Sequence, residues 1–82
     1  MNKYLVNIWV PFIEQDFEVF IPTSIKISLA KKLIASAIIE LSNNNFIVKS
    51  NLILLSTERK VYNDDEYVHE TDIHNGSKLV LM

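Results

Sequence analysis

Two stretches near the amino terminus have an apolar residue at every second position. In the first, Tyr4 to Val10, every even-numbered residue is apolar, and Pro11 ends the stretch. In the second, Asp16 to Ile21, the apolar residues of one parity are Phe17, Val19 and Ile21. This period puts alternate side chains on one face of a β-strand. The two stretches predict a hairpin that ends at Pro22, which cannot donate a ladder hydrogen bond.

The middle of the chain has the period of a helix. Apolar residues recur every three or four positions between Leu29 and Leu41, namely Ala30, Leu33, Ile34, Ala37, Ile38 and Leu41. This predicts an amphipathic helix that buries these residues. Ser28 is the predicted N-cap, and the run 42–45 is predicted to end the helix because asparagine tolerates the left-handed conformation. Lys31 and Lys32 are placed on the solvated side.

The last part of the chain predicts three further strands, in the segments 51–55, 60–62 and 78–82. The first is apolar on both parities, so its inward face stays open. Asn75-Gly76 is a turn signal, and Leu79 and Leu81 share one face of the closing strand, which we expect to run parallel to the first. The order predicts an α+β fold, with one helix packed on one face of a mixed sheet.

Composition narrows the class of protein. An 82-residue chain that is 49% hydrophobic predicts one folded domain over 1–82. The net charge of −2 and the scattered basic residues argue against nucleic-acid binding. Cysteine is absent, so disulfides and thiolate sites are excluded. No apolar run reaches the roughly 18 residues that span a bilayer, and we see no signal peptide, so we expect a soluble cytoplasmic protein without direct membrane insertion.

Two motifs carry a resemblance. The closing stretch 68–81, VHETDIHNGSKLVL, is similar to the ending of bacterial ubiquitin-like (β-grasp) proteins, and the element order is that of ubiquitin. The helix stretch Ala30–Ile34 resembles that of the YukD/EsaB family, ubiquitin-like accessory proteins of type VII secretion systems, although Leu29 stands where several members have proline. The resemblance implies a non-catalytic role in secreting small WXG-type proteins, with a membrane component or an ATPase of the secretion machine as partner.

Enzymatic chemistry finds little support in the sequence. Gly76 is the only glycine, which excludes a glycine-rich phosphate loop. His69 and His74 are interpreted as solvated side chains around a turn, and we expect neither a metal nor a cofactor. The strand ends at Met82 without a Gly-Gly tail. We therefore expect no conjugation, and a modifier or sulfur carrier with a missing tail remains the alternative.

The candidate binding surface lies on the parity opposite to the core. If the helix covers one face of the sheet, the other face carries the apolar residues Leu5, Trp9, Phe20 and Val80. Such exposed residues often mark partner sites. The alternatives are a self-associating structural protein, in which this face packs a homodimer, and a purely structural role. Lys31 and Lys32 are secondary candidates for contact with an acidic partner.

Overall fold

A computed structural model describes residues 2–43 and 51–82 of the chain. It contains four strands and one α-helix within those ranges: β1 (Lys3–Val10), β2 (Gln15–Pro22), α1 (Ile27–Leu41), β3 (Leu54–Ser56) and β4 (Lys78–Leu81), with a 3-10 helix at Val68–Glu70. The strand order in the sheet is β2-β1-β4-β3. β1 is antiparallel to β2 and parallel to β4, while β3 is antiparallel to β4. The predicted α+β fold with a mixed sheet is confirmed.

The amino-terminal hairpin follows the predicted alternation. Val6, Ile8 and Val10 of β1 are buried, as are Val19 and Ile21 of β2. These side chains share the inner face of the sheet, which forms the core together with α1. The hairpin connection places Glu14 in the left-handed region at φ 52°. Pro22 is the last residue of β2, as the sequence predicts.

The helix begins earlier than predicted, and the predicted Ser28 cap is wrong. Its N-cap is Lys26, which makes no capping bond through its side chain. Two backbone donors of the first turn instead reach the acidic loop that precedes the 3-10 helix: Ile27 N–H donates to the Glu66 carbonyl at 2.8 Å and Ser28 N–H donates to the Asp64 carbonyl at 3.2 Å. A distant segment thus satisfies the donors that a local side chain was expected to satisfy.

The buried stripe of α1 is also rotated from its predicted position. It consists of Ile27, Ala30, Ile34, Ala35 and Ile38. Leu33 and Leu41, which the periodicity assigns to the core, are exposed. Ala35, which the periodicity leaves outside the core set, is buried instead. At the carboxyl end the prediction holds: the helix ends at Leu41, and Asn43 has a φ of 55°. Asn44 and Asn45 lie outside the described residues.

The second half of the sheet is shorter than predicted. β3 begins at Leu54 rather than at Asn51, and Leu54 is buried while Ile53 is exposed, which settles the inward parity. The predicted strand 60–62 is wrong, because Val61 forms a single isolated bridge with Leu55. The chain then leaves the sheet at Tyr62, whose ring turns into the core. With this segment lost, the described part of the chain has a four-stranded sheet.

The turn before β4 fixes the parallel pairing with β1. Asn75 Oδ1 accepts the Leu5 N–H at 2.8 Å, and the Gly76 N–H donates to the Leu5 carbonyl at 2.7 Å. Gly76 has a φ of 91°, a conformation that favours glycine. Leu79 and Leu81 then point to the inner face and are buried, as predicted.

Candidate binding surface

The outer face of the sheet, opposite α1, carries all four predicted surface residues. Trp9 is 40% exposed and Phe20 is 62% exposed, while Leu5 and Val80 are half-buried. They lie outward because each has the parity opposite to a buried neighbour on its own strand. The structure therefore places these side chains on one face, where a partner could contact them.

These four residues do not form one continuous surface. The register pairs Leu5 with Phe20 and pairs Trp9 with Val80. Between the two pairs runs a polar row in which Asn7 is opposite both Glu18 and Lys78. The apolar residues of the outer face are thus separated into two groups.

The group around Trp9 is the larger one, because it continues across β4 and β3. Val80 is paired with Leu55, and Leu55 bridges to Val61. Two residues further along each strand, Ile53 and Met82 exchange backbone hydrogen bonds of 2.9 Å in both directions. We call these six residues the outer apolar patch: Trp9, Ile53, Leu55, Val61, Val80 and Met82.

Exposure within the outer apolar patch is high for side chains of this type. Val61 is 61% exposed, Met82 54% and Ile53 44%. Singly exposed apolar residues are ordinary, but a contiguous group is typical of an interaction site. The sequence analysis missed four members of this group. Met82 could have been assigned to the outer face, because it has the same parity as Val80. Ile53 and Leu55 could not be assigned, because the segment 51–55 is apolar on both parities.

The two secondary candidates on the helix differ from each other. Lys31 is four residues after Ile27 and four before Ala35, so it lies at the border of the buried stripe. Its ammonium pairs with the Asp64 carboxylate at 2.6 Å and donates to the Leu52 carbonyl at 2.8 Å. The prediction that Lys31 is a solvated side chain is therefore wrong. Lys32 is exposed, as predicted.

A polar cluster holds the segment that leads into β4. The Tyr62 hydroxyl donates to Asp72 at 2.8 Å, and Lys60 is 3.7 Å from the same carboxylate group. Burial and the Asp72 carboxylate raise the pKa of Tyr62 well above its usual value. The hydrogen bond from Tyr62 lowers the pKa of Asp72.

The histidines belong to local contacts. The His74 N–H donates to the Ser77 hydroxyl at 2.9 Å, and its ring Nδ1 is 3.0 Å from the Asp72 carbonyl. His69 stacks on Tyr67 with 5.7 Å between the ring centroids. The Asp72 carboxylate binds Tyr62 rather than an imidazole, so these residues make no Ser-His-Asp relay. Among the described residues, no group of three His, Asp or Glu side chains is placed to hold a metal ion.

Known proteins of the same architecture include domains of secretion machines. No protein-family model matches the chain, and no curated protein matches it in sequence. The ubiquitin-like domain of EccD1, a type VII secretion protein of Mycobacterium tuberculosis, superposes with a TM-score of 0.78 at 12% identity, over 99% of this chain and 98% of that one. The EccD5 ubiquitin-like domain of Mycobacterium xenopi gives 0.75 at 16% identity, over 100% and 94%.

The fold is ubiquitin-like. A chain of the ESX-5 inner membrane complex also superposes, with a TM-score of 0.74 at 14% identity; the match covers all of this chain and 21% of that one. At such identities the similarity shows the fold alone. The function depends on the residues that the surface presents. In the residues that the structure describes, no helix is long and apolar enough to cross a membrane.

Proposed function

We propose that this protein is a non-catalytic, ubiquitin-like interaction module that acts in the cytoplasm as an accessory component of a type VII secretion system. The outer apolar patch is the observation that carries the proposal. It runs across the sheet from Trp9 through the paired residues Val80 and Leu55 to Val61, and the described part of the chain contains no element that covers it.

Two further observations support the secretion context. The helix motif resembles the YukD/EsaB family, and the closing motif resembles bacterial ubiquitin-like proteins. Similar folds include the ubiquitin-like domains of EccD1 and EccD5. An inner membrane complex also contains such a fold. A membrane component or an ATPase of the secretion machine is therefore the partner that we propose for the patch.

The physical basis for binding is the water-exposed apolar area. Removing such area from water under a partner contributes about 25 cal/mol per Å², against which the entropic cost of association is set. Trp9 is the expected anchor, because tryptophan side chains carry a large share of the binding energy at many interfaces. Phe20 and Leu5 lie beyond the polar row, so we expect a smaller contribution from them.

Site-specific photo-crosslinking tests the proposal. A benzophenone amino acid replaces Val61 in the native host, and the same amino acid replaces Lys32 on the exposed side of α1 as the control. We expect a crosslink from position 61 to a component of the type VII machine, identified by mass spectrometry, and no such product from position 32. Equal products from the two positions, or none, would contradict the proposal.

A second measurement separates a secretion partner from self-association. If the patch packs against a second copy of the chain, Trp9→Ala converts a dimer to a monomer by light scattering. If it binds the machine, the wild type is monomeric, and Trp9→Ala reduces export of a WXG-type substrate while Lys32→Ala does not. A dimer that Trp9→Ala dissociates without any export defect would favour the structural alternative.

A further inference from the structure

The outer edge of β2 is a second feature of the sheet, distinct from the outer apolar patch. β2 is at one end of the strand order, and no strand of the described residues pairs with its far side. Its eight residues pair with β1 in one continuous register without a bulge. Unpaired backbone groups along such an edge form a template for another strand.

The register identifies which backbone groups point outward. Leu5 and Asn7 of β1 bond toward β4, because the Leu5 carbonyl accepts the Gly76 N–H at 2.7 Å and the Asn7 N–H donates to the Ser77 carbonyl at 2.9 Å. In an antiparallel pair, bonded and non-bonded positions alternate. Their partners Phe20 and Glu18 therefore turn their own backbone groups away from β1.

Extending the same alternation gives the full set of outward positions. Asp16, opposite Trp9, shares the phase of Glu18 and Phe20. Pro22 also shares it, and it ends the run because proline has no N–H to donate. Just after Pro22, the Thr23 N–H donates to the Asn2 carbonyl at 3.1 Å. The backbone groups of the odd-numbered residues in this segment therefore point toward β1.

This edge lacks most of the usual protection against pairing. Natural edge strands are blunted by charged side chains, above all lysine, by bulges or by proline. β2 contains no lysine, and its one proline is at the end of the strand. Three consecutive outward positions, each with an N–H and a carbonyl, stay available for a strand of about five residues.

Charge decides which strand fits. Asp16 and Glu18 project their carboxylates on the outer face, where both residues are exposed. An antiparallel second copy that used all three outward positions would place Glu18 opposite the same residue of that copy, and directly opposed like charges are destabilising. Lysine or arginine at the facing positions gives attraction instead. The edge thus disfavours self-pairing and favours a basic strand.

We infer that the outer edge of β2 binds an extended segment of a partner protein by strand addition, with basic side chains opposite Asp16 and Glu18 and an apolar side chain opposite Phe20. Main-chain bonds hold such a segment, and alternate side chains select it. This site is separate from the outer apolar patch, so its occupancy does not depend on the proposed secretion role.

The test uses the full chain and a synthetic heptapeptide, acetyl-TITKTKT-amide, with acetyl-TITETET-amide as the acidic counterpart. Amide hydrogen exchange is followed by NMR at millimolar peptide. We expect the basic peptide to slow exchange of the Glu18 and Phe20 amides at least roughly fivefold, while the Val19 amide, already bonded to β1, changes little. No slowing at those two amides, or equal slowing by the acidic peptide, would overturn the inference.

Two matched controls separate strand pairing from charge attraction. A basic peptide N-methylated on its pairing edge should lose the effect, and retention would show attraction alone and overturn the inference. The double variant D16N/E18Q should weaken binding roughly three- to tenfold, whereas E58Q/D65N, with the same change in net charge elsewhere, should leave it unchanged. Val61→Glu should not affect the peptide, which keeps this result distinguishable from failure of the secretion proposal.

Discussion

The two faces of the sheet are made from alternate residues of the same strands, but they have different consequences for the protein. On the inner face, Ile8 is fully buried in the core that the sheet forms with α1. Its neighbour Trp9, on the outer face, is 40% exposed. Both are apolar strand residues, and both favour β structure. The covering helix is what makes one of them a source of stability and leaves the other free to bind.

The same contrast occurs between consecutive residues at 61 and 62. Val61 is 61% exposed in the outer apolar patch, while Tyr62 is buried and donates to Asp72. A mutation of Tyr62 should therefore change stability, and a mutation of Val61 should change binding. The following predictions test that division, starting with the largest expected effect.

Ile8→Ala should lower the free energy of unfolding by about 3 kcal/mol, because it removes a fully buried side chain and leaves a cavity in the core. Urea unfolding followed by circular dichroism measures this change. A loss below about 1 kcal/mol would mean that the inner face tolerates truncation as an exposed surface does, and the comparison of the faces would fail.

Tyr62→Phe should lower stability at pH 7 by about 1 kcal/mol, through loss of the hydrogen bond to Asp72. The pKa of Asp72 is lowered in the folded state, chiefly by that bond, so its contribution is present at neutral pH and is lost as pH falls through the folded pKa. In the variant, the Asp72 pKa should rise toward its usual value of about 3.9 in an NMR titration.

The alkaline side of the same prediction has the opposite sign. The pKa of Tyr62 is raised in the folded state, by burial and then by Asp72, so its contribution is fully present below about pH 10 and is lost as pH rises beyond that value. Wild type should therefore lose stability above about pH 10 more steeply than Tyr62→Phe. Identical alkaline profiles for the two proteins would contradict the raised pKa of Tyr62, and Tyr4→Phe serves as the control.

Lys31→Met should cost up to about 1 kcal/mol, since it removes a half-buried ion pair with Asp64 and a donor to the Leu52 carbonyl. Lys32→Met, the same substitution at the next residue, should change stability by less than about 0.5 kcal/mol. Thermal unfolding of the two variants compares the border of the inner face with open surface. Equal losses of stability in the two variants would indicate that the contacts of Lys31 with Asp64 and Leu52 contribute nothing.

Val61→Ser should change the free energy of unfolding by no more than about 0.5 kcal/mol, because the side chain is mostly exposed. In a second experiment the benzophenone amino acid replaces Trp9. Adding Val61→Ser to that protein should reduce its crosslinking to the proposed partner. A large loss of stability would show that Val61 belongs to the core, and unchanged crosslinking would remove it from the binding surface.

Much of the fold could be predicted, but the surface could be predicted only in part. The alternation in β1 and β2 predicted the hairpin correctly because one parity of each stretch is entirely apolar, while the other parity includes polar residues. The segment 51–55 is apolar on both parities, so Ile53 and Leu55 could not be assigned to the outer face. The sequence also grouped Phe20 with Trp9, since parity alone does not show that Asn7 and its neighbours separate them.

Other misassignments arose where a distant segment replaced a local signal. Ser28 is a good N-cap by residue type, but the carbonyls of Asp64 and Glu66 already accept the first donors of α1. Lys31 lies on the polar side of a simple helical projection, yet the helix is rotated so that Ala35 faces the core and Lys31 meets Asp64. Neither contact can be deduced from positions that are more than thirty residues apart.

By itself, the sequence determined the order of the hairpin, the helix and the closing strand, the positions of the strand and helix ends near Pro22 and Asn43, and the side of β1, β2 and β4 that faces the core. These features depend on backbone conformation and on periodicities that neighbouring residues set. The tertiary structure alone decided the rotation of α1, the capping of its first turn, and which exposed side chains adjoin each other. Those features depend on sheet register and on contacts between distant segments, which local patterns do not specify.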